Sequence, residues 1–200
     1  MPNRRHVHTR SIRVEAYARD DGLWDLEANL TDTKSRDFPL ATGMRAAGDP
    51  VHDMVLRITI DTKLNIVDAS AQSLAVPYPG LCDTIGPDYR KLIGLNLLQD
   101  FRRHLQGRLW GVHGCTHVTE LATVLPTAAV QAFAGEVFKT RDAAHAGHHA
   151  DEKMPWQLDR CHALRVDGAA VARFYPRWYQ AKRRAAAPAG PIPIKDKTAQ

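Results

Sequence analysis

An α+β fold, an antiparallel sheet of about four strands followed by helices packed on one face, is predicted by three features of the sequence. Apolar and polar residues alternate through two stretches of the N-terminal half. Each stretch is broken by a short polar turn, at Asp21-Gly22 and around Asp61 to Asn65. From about Tyr89 onward the apolar spacing lengthens from two to three and four, the helical period.

The first stretch, Ser11 to Leu30, places Ile12, Val14 and Ala16 on one parity and Trp24, Leu26, Ala28 and Leu30 on the matching parity of the return strand. Asp-Gly supplies the positive φ that a tight turn needs, so the stretch reads as a hairpin. Thr31 to Pro50 is interrupted by Gly, Pro, Asp and Arg and reads as a long loop. A second hairpin follows, with Met54, Leu56, Ile58 and Ile60 on one face and Ile66 to Ala71 returning. Ile12, Val14, Trp24, Leu26, Met54, Leu56 and Ile58 are expected to face the helices. The segment VPYPGLCDTIGP carries Cys82 on irregular backbone. Tyr89, Leu92 and Ile93 then suit a short helix begun by Pro87, and Phe101, Leu105 and Leu109 suit a second. The apolar set from Val118 to Phe133 suits a longer one, bent or restarted at Pro126. A short strand or hairpin is expected around Asp167-Gly168.

These elements make one domain over residues 1–180, and the Ala- and Pro-biased basic end, 181–200, reads as a disordered tail. The formal charge of +5 belongs to that end: from Arg173 onward there are seven basic residues and one acid, leaving 20 basic against 21 acidic residues before it. Nucleic-acid binding is therefore not expected. The sequence contains no apolar run of membrane-spanning length and no apolar core behind the basic N-terminus, so a cytoplasmic protein with reduced thiols is expected.

The chemistry gathers around cysteine. Gly114-Cys115 stands at the start of the long helix, where the macrodipole favours thiolate, and His113 and His117 flank it two residues away on either side. Cys82 lies in a Pro-Gly loop beside Asp83, and His52-Asp53 sits at the entrance of the third strand. Cys161-His162 is a further pair, and His145, His148 and His149 cluster in an Ala- and Gly-rich stretch. Three uses of these residues remain open. One is a metal-binding domain, for zinc, iron or an iron-sulfur cluster, liganded by Cys82, Cys115, His117, His52 and Asp53. Another is an enzyme in which Cys115, activated by His117 or His113, attacks a thioester or acyl substrate. The third is a non-catalytic module that contacts a protein partner. Phosphate loops, nucleophile elbows and His-Glu-x-x-His helices are absent from the sequence.

Two resemblances add to this reading. The strings HTRSIRVEAYARDDGLWDLEANLTDTK, PVHDMVLRITID, PYPGLC, LIGLNL, GVHGCTHVTEL and LDRCHALRVDGAAVARFYPRWY resemble a bacterial family catalogued only as a domain of unknown function. More remotely, residues 51–135 are similar to NifU-like iron-sulfur cluster scaffold proteins: a strand hairpin, a loop cysteine, and a cysteine opening the closing helix. That resemblance implies a scaffold-like topology and ligand roles for Cys82 and Cys115. His52-Asp53 stands where those scaffolds carry their first cysteine.

Overall fold

The computed structural model describes residues 2–138 and 154–181, and the chain divides into two compact units, 1–137 and 138–200, where the sequence reading draws one domain over 1–180. The N-terminal unit is built on a four-stranded antiparallel sheet of strands β1 (His8–Ala18), β2 (Trp24–Lys34), β5 (Pro50–Ile60) and β6 (Ile66–Ala75), in that spatial order. The two-stranded ribbon of β3 (Phe38–Leu40) and β4 (Gly43–Arg45) fills what the sequence reads as loop.

Local chemistry sets the two hairpins. Gly22 takes φ +81° in the first turn, a conformation that costs a residue with a Cβ, and Asp21 Oδ1 accepts from Leu23 N at 3.1 Å. In the second, Asp61 Oδ1 accepts from Lys63 N and Asn65 N, which holds Leu64 at φ +67°. Both registers put the expected parity on one face. Val14, Ala28, Leu56 and Ala71 form one rung across four strands, and Ile12, Leu30, Met54 and Ser73 the next. Leu26, Leu30, Met54, Leu56 and Ile58 are fully buried there. Ile12 keeps 38% exposure because β1 is an edge strand with only its β2 side paired.

Helix α1 (Phe101–Leu109) and helix α2 (Thr116–Phe133) follow the predicted spacing, and Phe101, Leu105, Leu109, Leu121, Leu125 and Phe133 are all buried. α2 packs on β1, β2 and β5 and runs through Pro126 without a break. The expected helix starting at Pro87 is instead a 3-10 segment, Cys82–Leu92, with Pro87 inside it. This segment packs on β6 and buries Tyr89 and Leu92.

The C-terminal unit has its own small cluster of Leu158, Val166 and Val171, against which Leu164, Tyr175 and Trp178 pack. The strand expected around Asp167-Gly168 is corrected to helix α3 (Ala169–Phe174), with Gly168 as its N-cap. Val171 is buried and Ala172 N bonds to Gly168 O, so helical closure takes the backbone groups that a strand would leave for a partner. His145, His148, His149 and the tail beyond residue 181 lie outside the described residues. Among the described residues, no helix is long and apolar enough to cross a membrane.

Candidate metal centre

The core face of the sheet changes character at one end. The parity that runs Trp24, Leu26, Ala28, Leu30 along β2 continues to Asp32, and the register places Arg10 of β1 on one side of it and His52 of β5 on the other. Asp32 is 4% exposed, the one buried carboxylate among the described residues. Burying an ionised carboxylate is costly unless it is paired and hydrogen-bonded. Four nitrogens lie within hydrogen-bond distance of it, and a fifth stands just beyond. Arg10 binds both oxygens, Nε to Oδ1 and Nη2 to Oδ2, each at 2.8 Å, and His8 Nε2 lies 2.9 Å from Oδ1. His52 Nδ1 lies 3.1 Å and His117 Nε2 3.6 Å from Oδ2. Burial pushes the Asp32 carboxyl up, but the bonds from Arg10 and His8 and the Arg10 charge outweigh it and hold the group far below the usual carboxylate range.

His117 reaches this point because α2 begins directly over the polar end of the sheet. Its ring stacks on that of His52, with centroids 3.8 Å apart and planes inclined by 28°. Burial, helped by the Arg10 charge and opposed by Asp32, lowers the pKa of His52. On its other side His117 Nδ1 stands 3.8 Å from Cys115 Sγ. Burial pushes the Cys115 thiol up, whereas the His117 bond and the N–H groups of Val118 and His117 pull it down further, to a net value below the ordinary thiol.

The turn that carries Cys115 is fixed from behind. The buried Tyr89 hydroxyl accepts from Cys115 N at 3.0 Å and lies 2.9 Å from Cys115 O and 2.8 Å from Thr119 Oγ1, which itself donates to Leu109 O. Burial pushes the Tyr89 phenol up to about 12. A Cβ on Gly114 would meet Leu109 O at 2.3 Å, so only glycine lets the chain pass so close to the end of α1.

Asp32, His52 and His117 thus form a three-residue group compatible with a metal ion, their ligand atoms all within 4.8 Å of one another. Of the residues singled out in the sequence, His52, Cys82, Cys115 and His117 line one open cleft of about 490 Å³. Asp53 is not brought to it. Adjacent strand residues point to opposite faces, and Asp53 Oδ1 accepts from Asn29 Nδ2 at 2.8 Å on the far side of the sheet. His113 is exposed on the turn before α2, and Cys161 and His162 are exposed in the C-terminal unit. Sequence reasoning missed Asp32, Arg10 and His8. The signal for Asp32 was present, as a carboxylate on the buried parity of β2, where the expected strand end at Leu30 stopped one turn of the pattern short.

A family model described as protein of unknown function (DUF2889) matches residues 8–131, from the first residue of β1 almost to the end of α2. No curated protein and no solved structure matches the chain.

Proposed function

The chain belongs to the DUF2889 family, which carries no assigned function, and we propose that its N-terminal unit binds a divalent transition-metal ion through Asp32, His52 and His117. One observation carries this reading: the ligand atoms of Asp32, His52 and His117 converge, all within 4.8 Å of one another. Arg10 Nη2 and His52 Nδ1 lie within hydrogen-bond distance of Asp32 Oδ2, whereas His117 Nε2 stands 3.6 Å from it, beyond hydrogen-bond reach. A cation between both nitrogens and the oxygen gives all three a short bond.

The spacing supports the same reading. Donors about 2.0 to 2.2 Å from a tetrahedral ion stand roughly 3.4 Å from one another, and the two nitrogen-oxygen separations here are 3.1 and 3.6 Å. Two imidazoles and a carboxylate suit zinc or ferrous iron, and three protein ligands leave positions open for water or substrate. Arg10 and His8 orient the carboxylate from outside the shell, the kind of support whose loss weakens a metal site about 10- to 100-fold.

The test is metal content per chain by elemental analysis, followed by zinc titration calorimetry, on protein purified without a metal-binding tag. His52→Ala and His117→Ala are expected to lower zinc affinity by a factor of ten or more, whereas Asp53→Ala leaves it unchanged. Negligible metal in the parent together with no heat of binding at micromolar zinc overturns the proposal.

A second reading rests on the placement of Cys82 and Cys115 in the same cleft as the two imidazoles. With thiolate ligands from both, the site suits an iron-sulfur cluster, in keeping with the NifU-like scaffold topology expected from residues 51–135. It predicts visible absorbance and acid-labile sulfide after anaerobic reconstitution, both lost in Cys115→Ser.

A further inference from the structure

The cleft has two unlike walls. One is formed by His52 and His117, the imidazoles assigned above to the ion, with Cys115 beside them. The other is mostly apolar, with Pro77, Tyr78, Leu81 and Ile85 beside Cys82 and Thr84 of the same loop. Leu81 is 72% exposed and Tyr78 47% exposed, a large amount of apolar surface left in water at the rim. The loop that carries them is braced. Thr42 Oγ1 donates to Pro77 O at 2.7 Å, Arg45 Nη2 to Val76 O at 3.4 Å, and Thr84 Oγ1 to Leu81 O at 2.8 Å. At about 490 Å³ the cleft falls within the size range of small-molecule sites, which combine apolar walls with a few convergent polar groups.

Coordination selects the head of the ligand. Three protein ligands leave positions of a divalent ion open to a further donor, and an anionic oxygen is a good donor to such an ion. No charged side chain lines the opposite wall. An anionic oxygen donor is therefore favoured beside His52 and His117 and an uncharged body at the wall.

We propose that this cleft is a substrate site for a small molecule with an apolar, ring-sized body and an anionic oxygen head that coordinates the ion held by His52 and His117. The inference rests on the metal reading and extends it to a ligand class.

Two hydroxamates test it, because they share one metal-binding head and differ in the body. Acetohydroxamate and benzohydroxamate are titrated into the zinc-loaded full chain, with metal content measured on the same samples. Benzohydroxamate is expected to bind about tenfold more tightly or better, as burial of the ring against the apolar wall requires. In Leu81→Ser, whose side chain is mostly in water and bears little on folding, that preference falls to roughly threefold or less with zinc content unchanged. Equal affinity for the two probes on a loaded site, or a preference that Leu81→Ser leaves intact, overturns the inference and spares the metal reading. A chain that holds no zinc overturns both.

Discussion

The same face of the same sheet does two different jobs along its length. Through the rungs of Val14, Ala28, Leu56 and Ala71 and of Ile12, Leu30 and Met54 it is an apolar surface closed by α2. One rung further, at Arg10, Asp32 and His52, the backbone geometry continues and the chemistry inverts. An apolar rung is stabilised simply by leaving water, at about 25 cal/mol per Å². The charged rung gains little from burial and is held only by specific partners, so it adds less to stability and offers donors to a ligand. Its position under the first turn of α2 brings His117 from the helix onto a cluster otherwise made by strands.

That contrast can be broken from either side. The largest effect is expected in the apolar rungs: Leu56→Ala, at a site with 0% exposure, should cost about 2 to 5 kcal/mol in urea unfolding. A loss under about 1 kcal/mol would show that the rung is looser than drawn. Asp32→Asn should cost less, about 1 to 3 kcal/mol in metal-free protein, because Arg10 is a third exposed and keeps Glu120 as a partner. Its effect on zinc affinity should be the greater one. An Asp32→Asn chain that binds zinc as the parent does contradicts the assignment of the carboxylate.

Tyr89→Phe removes the hydroxyl that holds the Cys115 turn and should cost about 1 kcal/mol at neutral pH. The sign of its pH dependence follows from a folded pKa raised from 10.0 to about 12. The unfolded chain loses the proton first, so the stabilising share of Tyr89 is complete below pH 10 and is lost as the pH rises toward 12. Stability of the parent should fall over that window and that of Tyr89→Phe should fall less; parallel curves would contradict it. The smallest effect is expected at Asp53, which sits on the other face with Asn29: Asp53→Asn should change zinc affinity not at all and stability by less than about 0.5 kcal/mol.

Much of this architecture was legible in the sequence because it depends on local periodicity. The two hairpins, α1 and α2 follow directly from spacing at two and at three to four. The exceptions have identifiable causes. Pro87 looks like a helix start, yet the close packing of the 82–92 segment on β6 winds it as 3-10, and a Cβ on Gly86 would meet Ala71 O at 2.6 Å. Asp167-Gly168 looks like a hairpin turn, but the apolar residues beside it close a small helical cluster. For the site, His52, Cys115 and His117 were found by residue type and local position. Asp53 was singled out for its nearness to His52 in the chain, although strand alternation sends it to the opposite face. Asp32 and Arg10 stand 20 and more residues away in sequence, and only the pairing of three strands shows that they meet His52. Long-range register, not residue type, defines the cluster.

The central claim is that the ligands come from the charged rung and α2, and X-ray absorption at the metal edge of the purified, metal-loaded chain tests it most directly. The account predicts a shell of nitrogen and oxygen donors at about 2.0 to 2.2 Å with the outer scattering of two imidazoles. Two or more sulfur donors at about 2.3 Å, or a shell unchanged in His52→Ala and His117→Ala, would contradict it.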